Sequence, residues 1–253
     1  MLLHRRMLSN STNNSGGGSS DVIDYSKQYF TMEVLENDVE IMFMCYTFGE
    51  PLDIISYSLD EGKTWIIHDE GWNFSIYANR GTKILWRILS NIKDNLETPP
   101  FQFRSSGKIN VFGNLMSLYY FDDFENKSLT LIAQCNALFA SCSVVDAKNL
   151  VLPKNTTPYC YLNMFLFNHE LITAPKLVAD YLSVGCYKGM FHDCSLLSYV
   201  EIHATVYDEY SDANMIFDSW LSGTAPTGIV KRKQEFTLAD HYIPDGWTIE
   251  HLN

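Results

Sequence analysis

Residues able to do chemistry fall in few places along this sequence. His169-Glu170 and His192-Asp193 each set an imidazole beside a carboxylate, and proton transfer or metal binding would need both pairs on one surface. The default for each pair is a solvated turn. The acidic runs Asp122-Asp123 and Asp208-Glu209-Tyr210-Ser211-Asp212 offer oxygens for calcium, yet neither has the alternating ligand spacing of an EF-hand loop. The six cysteines, at 45, 135, 142, 160, 186 and 194, form no CxxC pair and no Cys/His set with zinc spacing. Five of them recur at apolar-flanked positions, where a free thiol behaves as a small buried hydrophobe. A disulfide framework is the other reading of an even count. There is no GxGxxG, Walker A, GxSxG or HExxH. No catalytic residue, metal or cofactor is implied.

Ser58-Leu59-Asp60-Glu61-Gly62-Lys63-Thr64-Trp65 fits the Asp-box pattern SxDxGxTW, familiar from sialidase propellers. The motif is a hairpin device: Asp and Gly close the turn, and Trp packs beneath it. A sialidase needs several such boxes and an arginine triad with a Tyr/Glu pair, whereas this chain has one box.

Charge narrows the partners. Eighteen Lys and Arg stand against 30 Asp and Glu, a formal charge of -12, whereas nucleic-acid binding needs a dense cationic surface to displace counterions. No nucleic acid and no membrane insertion is expected, because no run approaches the roughly 20 apolar residues of a spanning helix. The basic start, Met1 to Leu8, lacks the apolar stretch of a Sec signal peptide.

These residues must be positioned by β structure. Fifteen Tyr and 15 Phe, with frequent Val, Ile and Thr, favour strands. Residues 9–20 (SNSTNNSGGGSS) have no apolar side chain and read as a flexible linker. It tethers residues 1–8, either a frayed terminus or an anchor peptide of Leu2, Leu3, Arg5, Arg6, Met7 and Leu8. Residues 21–121 read as a β-sandwich-like domain, with strands predicted at Phe30–Leu35, Glu40–Tyr46, Ile54–Leu59, Thr64–His68, Phe74–Tyr77, Lys83–Leu89, Phe101–Arg104 and Lys108–Phe112.

From 122 to 222 an internal repeat appears. Cys160-Tyr161-Leu162-Asn163-Met164-Phe165 recurs as Cys186-Tyr187-Lys188-Gly189-Met190-Phe191, 26 residues on. The same offset reaches back to Leu138-Phe139 and forward to Ile216-Phe217. Phe139, Cys142, Cys160, Phe165, Leu171, Cys186, Phe191, Cys194 and Leu197 are the predicted repeat core. Units of this size bury their apolar side only by stacking. Asn168 takes the place of Cys142 and Cys194, an inward position bonded to turn backbone. Residues 223–253 read as a C-terminal cap.

The wording CYxxMFxxCxxLxxAPxL, in Cys160–Leu177 and Cys186–Leu197, resembles the BspA-like leucine-rich-repeat proteins of gut Bacteroides and the phages that infect them. Asp24–Glu33, Tyr57–Trp65, Gly107–Leu118 and the ending Ile243–Ile249 are similar to their flanking β-domain and closing cap. The resemblance implies a mainly β chain with a short leucine-rich-repeat solenoid of 26-residue period, and no enzyme. The MLLHRRML start is similar to that of gut-phage virion proteins. It implies a head fibre, decoration or tail-associated protein that meets other virion proteins through its N-terminus and projects toward a host-surface glycan or protein, as a monomer or homo-oligomer. The alternative is a bacterial cell-surface adhesin. Tyr207, Tyr210 and Trp220 are the candidate ligand contacts, with buried packing as the plain reading of each.

Overall fold

The computed structural model describes residues 23–45, 55–68, 73–89, 101–207, 213–236 and 238–252. The anchor residues Leu2, Leu3, Arg5, Arg6, Met7 and Leu8, the linker and Tyr210 lie outside these residues. The chain is mainly β, with several sheets, none of them closed.

Eight strands come first: β1 (Thr31–Val34), β2 (Val39–Cys45), β3 (Ile55–Ser58), β4 (Ile66–His68), β5 (Asn73–Ala78), β6 (Lys83–Ile88), β7 (Phe101–Ser105) and β8 (Ile109–Asn114). Alternation is clear in β2, where Val39, Ile41 and Phe43 face inward while Glu40 and Met42 are half-exposed. The strands form two sheets. One is β5-β2-β7; the other runs β8-β1-β6-β3-β4 and continues from β8 into β9 (Val144–Asp146) and β10 (Leu150–Val151). Aromatic rings fill the space between the sheets, with Trp86 5.0 Å from Phe103 and Tyr57 6.0 Å from Phe74 between centroids. A short helix, α1 (Ser117–Tyr120), follows β8.

Beyond α1 the chain forms turn ribbons at 133–142, 159–168, 185–194 and 217–224. Within each, an N–H donates three residues back, as in Leu166 to Asn163 and His192 to Gly189. The intervening N–H groups point to the next ribbon. Cys135 donates to the carbonyl of Cys160, Phe139 to Met164, Tyr161 to Cys186 and Phe165 to Met190, at 2.9–3.1 Å. Left-handed residues recur every fourth position at Ala133, Ala137 and Ser141, then Tyr159, Asn163 and Phe167, then Gly185, Gly189 and Asp193. These nine positions, three in each ribbon, repeat one backbone path, which is what brings the 26-residue spacing into register.

The ribbons stack a column of rings: Phe30 to Phe139 at 5.8 Å, Phe139 to Phe165 at 5.4 Å and Phe165 to Phe191 at 5.7 Å. Each fully buried Phe contributes about 2 kcal/mol over exposure. The core is one cluster running from Phe30 to Trp247, with no gap at residue 121. Parallel strands follow the same axis: β11 (Tyr181–Leu182) pairs with β13 (Val206–Tyr207), and β12 (Tyr199–Ile202) with β14 (Gly228–Arg232), which pairs with β15 (Trp247–His251).

One register differs from the sequence reading. A 26-residue step from Met190-Phe191 lands on Ile216-Phe217, but the N–H groups of Gly189, Phe191 and Asp193 bond the carbonyls of Asp218, Trp220 and Ser222. Trp220-Leu221 therefore takes the repeat position. The four extra residues are accommodated where the chain forms helix α2 (Ala213–Phe217).

Candidate functional site

The nine predicted core positions are all buried. Cys142 is 3% exposed, and Phe139, Cys160, Phe165, Leu171, Cys186, Phe191, Cys194 and Leu197 are 0% exposed. Burial pushes the Cys142 thiol up to about 11 and those of Cys135 and Cys194 to about 12, and raises Cys160 and Cys186 as well. A thiol held protonated in the core is a poor nucleophile and metal ligand.

Asn168 holds ribbons together. Its Oδ1 accepts from the Val144 N–H at 3.1 Å, and its Nδ2 donates to the carbonyls of Phe139 (2.6 Å) and Phe165 (3.0 Å). Cys194, one repeat later, donates its thiol to the Phe165 carbonyl at 3.1 Å.

The two His/acid pairs do not form a joint centre. Glu170 is engaged by Lys108 Nζ at 2.9 Å, and Asp193 by His192 Nε2 at 3.4 Å, while both imidazoles pack on Phe167. Among the described residues no group of three His, Cys, Asp or Glu is arranged to hold a metal ion, and no helix is long and apolar enough to cross a membrane.

The Asp-box is occupied by its own turn. Asp60 accepts from the Thr64 N–H at 2.9 Å and Thr64 Oγ1 at 2.7 Å, which lowers its carboxyl to about 2. Gly62 donates to Ser58 Oγ, and Trp65 Nε1 to the Gly62 carbonyl. The Arg87 guanidinium lies 3.6 Å above the Trp65 ring and 5.4 Å from Tyr29, and it contacts Asp122. Sequence reasoning missed Arg87, because a lone Arg in β6 carries no pattern.

Concavity is found at the far end of the stack. A cleft of about 710 Å³ lies between the fourth ribbon and residues 241–245, with Lys188, Met215, Asp218 and Asp245 on its sides. This volume is in the range of small-ligand and peptide pockets. Lys188 Nζ is paired with Asp218 at 2.9 Å, which lowers the Asp218 carboxyl. Trp220 lines the cleft but is buried, the plain reading of this candidate contact, and not an exposed aromatic. It is 1% exposed, its ring is 5.1 Å from Phe217, and its Nε1 donates to the Tyr242 carbonyl at 2.7 Å. The segment around Tyr242 covers it. Tyr207 lies outside the cleft, half-buried in β13 and edge-on to Phe236.

No family model, no curated protein and no solved structure matches this chain.

Proposed function

We propose that the chain is a non-enzymatic structural and binding protein of the BspA-like leucine-rich-repeat kind. In this reading a β-sandwich-like domain continues into a short solenoid, closed by residues 223–253. It serves a phage virion as a head fibre, decoration or tail-associated protein, anchored to other virion proteins by residues 1–8. The observation that supports a projecting body is the unbroken column Phe30, Phe139, Phe165 and Phe191, which ties the first strands to the ribbons. A continuous core resists bending between its parts. The cleft beyond the fourth ribbon then sits at the end of the stack away from β1 to β8, free to meet a host-surface protein or glycan.

The test is incorporation into particles. Deleting residues 1–8 should leave the folded body intact by circular dichroism but remove the protein from purified virions. Normal incorporation would overturn the anchor. The cleft also suits a bacterial cell-surface adhesin, and a gene set among outer-membrane loci rather than capsid and portal genes would decide for that alternative.

A further inference from the structure

We infer that the fourth ribbon is a backbone-addition site for a polypeptide segment of a partner that takes up the same turn-ribbon path. In the second ribbon the N–H groups of Asn163, Phe165 and Phe167 donate to the carbonyls of Lys188, Met190 and His192; in the third, those of Gly189, Phe191 and Asp193 donate to Asp218, Trp220 and Ser222, at 2.7–2.9 Å throughout. The fourth ribbon repeats the path. Trp220, Ser222 and Thr224 donate three residues back, and Ser219 and Gly223 have the same positive φ, 56° and 74°. The donors that come next in register are the N–H groups of Ser219, Leu221 and Gly223. Among the described residues these three have no partner, and all three residues line the 710 Å³ cleft.

Three N–H groups at every second residue of a turn ribbon match carbonyls at every second residue of a segment on the same path, as the second and third ribbons pair within the protein, and unpaired backbone edges take up added backbone in this way. A phosphate is a poorer fit. Asp218 and Asp245 line the cleft, and its Lys188 ammonium is already paired with Asp218. Met215, 49% exposed, with Ile243 and Pro244, supplies apolar contact for the side chains of the incoming segment. A second copy of this chain cannot supply it head to tail from its first ribbon. There the Leu138 carbonyl is taken by the Phe103 N–H at 2.8 Å, Ala140 by Gln102 Nε2 at 2.5 Å and Gln134 by the Tyr119 hydroxyl at 2.9 Å.

The site rests on the stacked-ribbon reading, and amide NMR of the full chain separates the two. In the free protein the amides of Phe165, Phe167 and Gly189 should exchange at least about 100-fold more slowly than those of Ser219, Leu221 and Gly223. Uniformly fast exchange would sink the stacking itself. The probe is a synthetic peptide with the sequence of residues 185–194, whose carbonyls accept on the second ribbon within the protein. At millimolar concentration it should move the Ser219, Leu221 and Gly223 resonances downfield and slow their exchange about 10-fold. Inorganic phosphate and maltotetraose form the other arms. With the stack protected, three unmoved resonances under peptide would overturn the docking site, and so would a response to phosphate or maltotetraose in place of peptide.

Discussion

The Asn168 side-chain amide donates to the Phe139 carbonyl at 2.6 Å, joining two ribbons whose sequences are 29 residues apart at that point. The same side chain bonds Phe165 and Val144 and is 0% exposed. Asn168→Ala would strand buried backbone groups, at about 1–3 kcal/mol for each one left unpaired. Urea unfolding should show a loss of about 3 kcal/mol. Asn168→Cys should lose less, because Cys194 donates to the Phe165 carbonyl from the equivalent position. Equal losses for the two variants would show that the hydrogen bonds are not what matters there.

Two glycines with nearly the same φ separate conformational strain from collision. Gly81 and Gly113 have φ of 86° and 84°, but a Cβ on Gly81 meets nothing within 4 Å, while one on Gly113 would lie 2.1 Å from the Tyr29 carbonyl oxygen. Gly81→Ala should cost about 1 kcal/mol, the left-handed penalty alone. Gly113→Ala must also move backbone between β8 and Tyr29, and a loss above about 3 kcal/mol is expected. Thermal melts that place both variants together would contradict the collision.

Much of this fold is legible in the sequence. Short β-prone runs between turn signals locate β1 to β8, and the 26-residue recurrence of Cys, Tyr, Met and Phe locates the first three ribbons, because those side chains must face one core. Strand order is not legible: β1 lies between β6 and β8, partners set by long-range packing that local pattern does not encode. Nor are the left-handed turns. Ala137, Tyr159 and Phe167 all adopt positive φ, a conformation that their residue types do not signal as Gly or Asn would. The candidate site was missed for a related reason. Its donors are backbone N–H groups, present at every residue, and only the four-residue shift past α2 shows which of them face the cleft.

The first and third ribbons give a paired test of that strain. Ala137, Asn163 and Gly189 occupy one repeat position with φ of 53°, 55° and 60°. Ala137→Gly relieves a left-handed alanine and loses some of the gain to unfolded-state entropy, for a net stabilisation of about 0.5 kcal/mol. Gly189→Ala meets the same φ and sets a Cβ 2.2 Å from Asn163 Oδ1, which must rotate away. It should destabilise by about 1–2 kcal/mol. Opposite signs in chemical denaturation are the result to look for; a destabilised Ala137→Gly would show that the turn tolerates alanine without strain.

Arg87 should resist even conservative replacement. Its guanidinium lies over the Trp65 ring at 3.6 Å, its side chain is 15% exposed, and it contacts Asp122. Lysine keeps the charge but loses the planar guanidinium, so Arg87→Lys should lower stability by about 1 kcal/mol. Trp65 is one of five tryptophans, so its emission is read as the difference between the parent chain and Trp65→Phe. Its emission should shift in Arg87→Lys, and an unchanged spectrum with unchanged melting would remove that contact from the account.

The core thiols make stability depend on alkaline pH. Cys142 ordinarily titrates near 9.0 and is raised to about 11 by burial, with Cys135 and Cys194 raised to about 12. A raised pKa means the folded state favours the neutral thiol. That contribution is therefore complete below pH 9 and is lost as pH rises from 9 towards 11, by about 2–3 kcal/mol for a thiol shifted two units. Urea midpoints should hold steady from pH 7 to 8.5 and fall by pH 10.5, and Cys142→Ala should make the fall shallower. The same burial leaves only about one thiolate in a thousand for Cys142 at pH 8. Iodoacetamide should then label Cys135, Cys142 and Cys194 at least about 100-fold more slowly in the native protein than in urea. Rapid native labelling at any of the three would place that thiol at the surface and break the core column on which the ribbon stack depends.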